Sequence, residues 1–303
     1  MPHSSRDRES ATQLAAPSVG RTIVPAAEPR VGEAVGRWAL RVAAWGALAF
    51  LIIPILVVIP LSFNAEPFFS FTPGMLRLDP DAYSTKWYDA VFESSIWLMA
   101  IRNSLVIGLC STAIATVLGT VAALGLASPD MPWRRPISAL LLAPMIVPLI
   151  IVAAGMFFFF TRLNLVATFP GVIIAHAVLG VPFVILTVTA TLSGFDRSLY
   201  HAGLNLGASP IRTFVDVVVP VIRPGVISGA LLAFVTSFDE VVLVLFLAGP
   251  EQTTIPRRMF SGLREQINPS ILAVATLLIL MSICLLLVLE FLRRRSDRIR
   301  AGK

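Results

Sequence analysis

Six long apolar stretches constrain the fold of this 303-residue chain more than any other feature. A helix needs about 20 apolar residues to cross the hydrocarbon core of a bilayer. Only 14% of the residues are charged, against about 25% in soluble domains. We therefore predict an all-α integral membrane protein with a domain over 39–293. The six predicted spans lie at roughly 40–62, 103–127, 138–160, 171–192, 222–247 and 270–292.

Prolines interrupt several of these stretches, including Pro144 and Pro148 in the third and Pro182 in the fourth. Neighbouring helices can satisfy the carbonyl that a proline frees within a membrane. We therefore interpret these prolines as kinks and not as helix ends.

The distribution of arginine predicts the orientation. Arg134 and Arg135 follow the second stretch, and Arg293 to Arg295 follow the sixth. Cytoplasmic flanks of membrane helices are enriched in such residues, whereas the loop 63–102 is acidic. Both termini are therefore predicted to be cytoplasmic, although Arg257 and Arg258 lie in a loop assigned to the outside. Arginine at span ends also argues against a nucleic-acid partner.

The two ends of the chain are predicted to be tails. Residues 1–38 have too little apolar content to form a core, so we expect a disordered cytoplasmic tail. Residues 294–303 form a short basic cytoplasmic tail. Cys110 and Cys284 lie in apolar stretches, where cysteine behaves as a small hydrophobic residue.

The connection 193–220 is predicted to contain two short helices. The first runs from about Asp196 to Leu206 and stops at Gly207, a residue suited to a left-handed C-cap. Ser209 provides an N-cap hydroxyl, and Pro210 fits the first position of the second helix.

The second helix of this connection is predicted to be amphipathic and to end at Pro220. Its apolar residues recur at helical spacing, which indicates a surface that meets another protein. These residues are Ile211, Phe214, Val215 and Val218.

This connection resembles the cytoplasmic loop of binding-protein-dependent ABC importer permeases, whose pattern begins Glu-Ala-Ala. Here His201-Ala202-Gly203 is followed after three residues by Gly207, and after nine more by a segment ending at Pro220. The spacing matches throughout, and Ala202, Gly207 and Pro220 match by identity. His201 replaces the acidic residue and Gly203 replaces an alanine. The histidine leaves two alternatives, a polar contact with an ATPase or a role within the helix.

The resemblance implies a type I permease bundle in a bacterial inner membrane. It also implies three protein partners: a cytoplasmic ATPase dimer that docks on 193–220, a second and different permease, and a periplasmic solute-binding protein. The chain itself would bind no cofactor and would catalyse no reaction, because ATP and magnesium belong to the ATPase. It contains no phosphate-binding Gly-x-x-x-x-Gly-Lys motif and no metal-ligand spacing.

Three further segments resemble the second permease of the spermidine/putrescine branch. They are Ser237 to Glu240, Leu247 to Pro250, and Met259 to Pro269. The resemblance implies a polyamine as cargo. Other cargoes remain open, namely an amino-acid derivative, an opine-like solute or a metal ion, and so does an ion-coupled secondary transporter.

Asp239 and Glu240 are the foremost candidates for a substrate path, with Phe238 beside them. Ionisable residues within a span are costly and indicate function. We expect both carboxylates in the outer half of the fifth helix, flanking a stripe of small residues that includes Gly225, Gly229 and Ala233. They would attract a cationic solute, or they would pair within the bundle, with Arg257 and Arg258 as candidate partners.

His176 in the fourth span is a further path candidate, although a lone histidine there more often makes an interhelical hydrogen bond. The run Phe157 to Phe160 is predicted to meet lipid or fill helix grooves, with an aromatic wall for alkylammonium groups as the alternative. A second stripe of small residues, in the second span, is interpreted as packing. It consists of Gly108, Thr112, Ala115 and Gly119.

Overall fold

Long helices carry most of the chain, as its apolar stretches predict. A computed structural model describes residues 31–128, 130–265 and 269–301. Within these ranges the backbone forms helices and turns and no β-strand, which confirms the all-helical class for this part. The helices are α1 (Val31–Leu61), α2 (Pro73–Leu76), α3 (Lys86–Glu93), α4 (Ser95–Ala127), α5 (Arg134–Ile146), α6 (Leu149–Arg162), α7 (Phe169–Leu192), α8 (Ser198–Asn205), α9 (Pro210–Thr213), α10 (Val219–Phe238), α11 (Val242–Leu247), α12 (Ile255–Glu265) and α13 (Ser270–Ala301).

Four helical segments in the described part are long and apolar enough to span a membrane. They are Gly36–Leu61, Ser95–Ala127, Phe169–Leu192 and Pro210–Phe238, and the pair α5–α6 would add a fifth if it forms one span. Side chains in all four segments are strongly apolar, which fits burial in lipid or against other helices. The predicted membrane class holds, and four of the six predicted spans are found.

The chain divides into two units, the first reaching Ile53. Its described part is the beginning of α1, where the side chains of residues 36–53 are exposed. The helix begins at Val31, earlier than the predicted boundary at residue 39. Residues 1–30 of the predicted tail lie outside the described residues. At the other end of the chain, α13 continues as a helix into the predicted tail 294–303. The last two residues of this tail also lie outside the described residues.

The third predicted span is broken, so the interpretation of its prolines as kinks is half wrong. Pro144 lies inside α5 as expected, but α5 ends at Ile146 and α6 leaves it at an angle of 107°. Val147 has an extended backbone, with φ −73° and ψ 134°. The ring of Pro148 disfavours the helical conformation in the preceding residue, which explains the break at this position.

The fifth predicted span begins earlier than expected. Helix runs without interruption from Pro210 to Phe238, so Pro220 does not end a helix as predicted. The five residues Phe214–Val218 form a π-helical turn in which the amide of Val219 donates to the carbonyl of Phe214. This wider turn, placed directly before the proline, provides room for a ring that would otherwise clash with the preceding turn.

The core of the second unit is formed by α4, α7 and α10, which pack along the predicted stripes of small residues. A methyl carbon placed on Gly119 would lie 2.6 Å from Cβ of Val184. A methyl carbon placed on Gly229 would lie 2.8 Å from Cα of the same valine. Small residues allow membrane helices to approach this closely. The interpretation of both stripes as packing faces is confirmed.

Candidate coupling element and transport path

The segment 193–220 forms the predicted helix–turn–helix, which we call the coupling element. The turn between α8 and α9 contains Gly207 with φ +84°, the left-handed conformation predicted for it. Ser209 accepts a hydrogen bond from the amide of Arg212 at 3.3 Å, and Pro210 is the first residue of α9. The bounds of the first helix differ from the prediction by one or two residues, and the three turn residues adopt their predicted conformations.

Gly203 has a steric role within this element. A methyl carbon placed on Gly203 would lie 2.7 Å from Cγ2 of Thr213, a residue with 1% of its surface exposed. The second helix therefore packs directly on the backbone of α8 at this point. The close contact explains why glycine replaces the alanine of the sequence pattern.

The apolar residues of the second helix differ in how far the chain buries them. Val218 is buried, whereas Ile211 and Val215 are exposed and Phe214 is half-buried. The π-helical turn changes the residue spacing between them, so a strict 3.6-residue pattern fails. Leu206 is also exposed, beside the Gly207 turn.

The start of α8 is polar and exposed. The amide of Ser198 donates to Oδ1 of Asp196 at 2.9 Å, and hydrogen bonds from the side chain and backbone of Ser198 keep the pKa of the Asp196 carboxyl below its usual value. His201 and Ala202 are exposed on the same helix. The coupling element thus presents polar and apolar side chains together.

The candidate path residues Asp239 and Glu240 lie in a break between two helices. We expected both inside one long helix, but α10 ends at Phe238 and α11 begins at Val242. Glu240 is 8% exposed, and its Oε1 accepts a hydrogen bond from the amide of Leu243 at 2.9 Å. Glu240 therefore caps α11, because the first amides of a helix have no partner within it. Asp239 is exposed.

His176 contacts the other side of the same break. Its Nδ1 lies 2.8 Å from Oγ of Ser237 and 3.1 Å from the carbonyl oxygen of Ser237. Oγ of Ser237 also accepts from Oγ of Ser111 at 2.9 Å. These three buried polar residues connect α7, α10 and α4. A buried carbonyl that lost such a partner would cost about 1–3 kcal/mol.

Ser111 and Ser237 were not predicted as members of this group, although the sequence contains a signal for them. Ser111 precedes Ala115 by four residues, and Ser237 follows Ala233 by four. Ser237 therefore extends the stripe of α10 by one helical turn, and Ser111 lies within the stripe of α4, one turn before Ala115. Polar residues on such stripes meet other helices and form hydrogen bonds between them.

The predicted arginine partners of the carboxylates bind elsewhere. Arg257 donates to the carbonyl oxygens of Ala248 and Gly249 at 2.8 and 3.0 Å, and partial burial lowers the pKa of its guanidinium. The guanidinium of Arg258 lies 6.0 Å from the ring centre of Trp97. Among the described residues no ion pair joins either arginine to Asp239 or Glu240.

A second polar contact holds the loop that follows α11. Nδ2 of Asn103 on α4 donates to the carbonyl oxygens of Glu251 and Thr253 at 2.7 and 3.0 Å. Oγ of Ser104 accepts from the amide of Ile255 at 2.9 Å. The loop and the start of α12 are therefore attached to α4 by buried hydrogen bonds.

Apolar side chains surround the remaining candidates. The ring centre of Phe238 lies 5.5 Å from that of Phe234. Phe238 also lines a cavity of about 180 Å³ together with residues of α4, α12 and α13. In the phenylalanine run of α6, Phe160 is buried whereas Phe158 and Phe159 are exposed. The exposed pair agrees with the prediction of lipid contact.

Long apolar helices, a broken helix within the bundle and an exposed helix–turn–helix define a multi-pass membrane permease. The chain belongs to the family of binding-protein-dependent transport system inner membrane components, whose model matches residues 115–298. It is therefore a non-catalytic permease subunit of an inner-membrane transport system.

Named relatives cover most of the chain. The spermidine/putrescine transport system permease protein PotC of Haemophilus influenzae is 28% identical over 249 residues, which are 82% of this chain and 94% of that protein. The putrescine transport system permease protein PotI of Escherichia coli K12 is 31% identical over 237 residues, 76% of this chain and 82% of that protein.

A solved structure supports the fold. The structure of a bacterial ABC transporter that imports the acidic polysaccharide alginate superposes with a TM-score of 0.65 at 13% identity, covering 88% of this chain and 98% of that chain. At this identity the likeness concerns the fold alone.

Proposed function

We propose that this chain is a permease subunit of an ATP-driven importer that carries putrescine, spermidine or a similar polyamine inward. The likeness to two polyamine permeases, over 82% and 76% of the chain, carries the proposal. An external binding protein delivers the cargo, and the permease provides the path.

The proposed topology has six spans with both termini in the cytoplasm. The bent pair α5–α6 forms the third span and α13 forms the sixth, in addition to the four long helices. Residues 1–38 and 294–303 are the cytoplasmic tails. The arginine-rich flanks and the acidic loop 63–102 support this orientation.

The proposed partners are a cytoplasmic ATPase dimer, a second and different permease and a periplasmic binding protein. The ATPase docks on the coupling element, where Leu206 and Ile211 are exposed beside the Gly207 turn. Exposed apolar side chains in a polar rim are typical of protein interfaces. ATP and magnesium act in the ATPase, and the loops 63–102 and 248–269 receive the binding protein.

The proposed path passes the break at Asp239. The C-terminal end of a helix carries a partial negative charge, and the exposed carboxylate of Asp239 lies at the end of α10. Broken helices provide sites for cations in other transporters through such ends. Phe238 offers an apolar surface to the methylene groups of the polyamine, while Glu240 and His176 shape the break.

The experiment that tests the proposal is uptake of radiolabelled putrescine and spermidine by cells that express the full complex. We expect the wild type to import polyamine and Asp239→Asn to reduce the rate about tenfold, because it removes the exposed charge. If the ATPase associates with the permease but neither amine is imported, the assignment as a permease subunit stands. A polyamine cargo is then excluded. Opine-like solutes, amino-acid derivatives and metal ions would then be screened.

A matched pair of glycine variants tests the coupling element. Neither Gly207 nor Gly155 has an atom within 4 Å of an added Cβ, but only Gly207 has a positive φ. Gly207→Val should therefore weaken ATPase association and uptake together, whereas Gly155→Val, which lies outside the coupling element, should retain both. Equal behaviour of the two variants would argue against a docking role for the Gly207 turn.

A further inference from the structure

The break between α10 and α11 leaves a carbonyl that a continuous helix would have satisfied. In an unbroken helix the carbonyl of Ser237 accepts from the amide four residues later, that of Val241. Here α10 ends at Phe238, and Nδ1 of His176 lies 3.1 Å from that carbonyl oxygen. The histidine takes the place of the missing backbone donor.

Two oxygens of Ser237 lie near Nδ1 of His176, the carbonyl oxygen at 3.1 Å and Oγ at 2.8 Å. A carbonyl oxygen can only accept a hydrogen bond, so the cap on this carbonyl requires the tautomer that carries the proton on Nδ1. Nε2 of the neutral ring is then an acceptor, and it is buried without a hydrogen-bond partner among the described residues. The protein contact of the ring is thus made by Nδ1.

The ring is held in this position by the surrounding helices. His176 is 1% exposed, Ser237 is 5% exposed and Ser111 is 1% exposed. The layer next to them consists of Ala115 and Ala233. A Cβ added to Gly180 would lie 3.0 Å from the Cβ atom of each alanine. Close packing on this side fixes the distance between α7 and α10 and keeps the imidazole beside the end of α10.

We propose that His176 is a positioning residue that caps the C-terminal end of α10 and thereby holds the helix break at Asp239 in place. Glu240 caps the start of α11 from the other side. His176 acts through the break and does not itself bind the cargo. This inference rests on the proposed function only where it concerns transport, because the helix cap exists independently of the cargo.

Substitutions that mimic one ring nitrogen at a time separate this role from a role in the path. An asparagine at position 176 places an amide donor near the position of Nδ1, whereas a glutamine places its amide near Nε2. His176→Asn should therefore retain the cap, and His176→Gln and His176→Leu should lose it. A path residue acting through Nε2 would show the reverse order.

The first readout is amide hydrogen exchange of the full complex in lipid nanodiscs. We expect exchange at residues 239–243 to become about tenfold faster in His176→Leu and His176→Gln, because the break loses a hydrogen bond that orders it. His176→Asn should exchange like the wild type. Ser237→Ala, which leaves the carbonyl in place, should also remain close to the wild type.

The second readout is the maximal rate of polyamine uptake at saturating binding protein. The positioning role predicts a reduction of about fivefold or more for His176→Leu and recovery in His176→Asn. Wild-type exchange rates in His176→Leu, or recovery by glutamine and not by asparagine, would overturn the proposal. If the wild type imports no polyamine, the proposed cargo fails, but the exchange experiment still decides the role of His176.

Discussion

The continuous helix from Pro210 to Phe238 ends in two different ways. At its first end, Leu206 is 88% exposed and Ile211 is 78% exposed. At its other end, Glu240 is 8% exposed and Ser237 is 5% exposed. The first end has apolar side chains that nothing within the described chain covers, whereas the second end is covered and hydrogen-bonded by the chain itself.

The two ends also use different chemistry to stop the helix. Gly207 stops α8 with a left-handed backbone, and Ser209 starts the next helix with an exposed hydroxyl cap. The break after Phe238 uses the buried side chains of His176 and Glu240. Water can replace a lost cap at an exposed end, but a buried end has no such substitute. Loss of a cap should therefore be more damaging at the buried end.

A change in the middle of the helix should damage both ends together. Gly229→Val would place its side chain against the backbone of Val184 and destabilise the fold by about 3 kcal/mol. We expect little intact complex in size-exclusion chromatography of the extracted membrane. Gly155→Val is the control, because an added Cβ there meets no atom within 4 Å. Normal yield of the Gly229 variant would contradict the close packing of α7 and α10.

The buried end of the helix should depend on the attachment of the following loop to α4. Asn103→Ala removes the donor to two carbonyls, and we expect about 2 kcal/mol of destabilisation. Thermal unfolding of the purified complex measures it, with the exposed neighbour Arg102→Ala as control. ATPase association should be unchanged in complexes that remain folded. A selective loss of ATPase binding would mean that a change at the buried end affects the coupling element at the other end.

The cap on α11 should contribute less than this attachment. Glu240→Ala leaves the amide of Leu243 without its acceptor, which costs about 1–1.5 kcal/mol for a helix cap. Glu240→Gln retains an oxygen in the same place and should recover most of the stability. The same unfolding experiment compares both variants, and Glu251→Ala serves as the exposed control. Equal losses of stability in Glu240→Ala and Glu240→Gln would show that the negative charge, and not the helix cap, stabilises the protein.

The two ends were not equally predictable from the sequence. The Gly207 turn depends on local backbone preferences of glycine, serine and proline, so the residues themselves indicate it. The break at Asp239 depends on His176, which lies 61 residues from its partner Ser237 in the sequence. An apolar run that continues through Leu247 indicates one helix, and only the tertiary contact shows where the helix stops.

The same division between local and tertiary causes applies elsewhere in the fold. Pro148 indicates a possible break in the third span, but the 107° angle depends on packing of α6 against α11 and α7. The small-residue stripes were recognised because their spacing is local. Nothing local in the sequence indicates the role of Asn103, since its carbonyl partners are about 150 residues away in the sequence.

The smallest effect is expected at the exposed cap, Ser209. Its hydroxyl accepts the amide of Arg212 at the long distance of 3.3 Å, and water can replace it, so Ser209→Ala should cost about 0.5 kcal/mol. That free energy corresponds to about twofold weaker binding of the ATPase if docking requires the ordered turn. Binding of the purified ATPase to the permease in nanodiscs measures the change, with Ser209→Thr retaining the cap and Ser70→Ala, at an exposed serine outside the coupling element, as the control. A free-energy loss as large as that of Glu240→Ala would mean that the coupling element is already buried against another surface before the ATPase binds. The contrast between the exposed and the buried end would then fail.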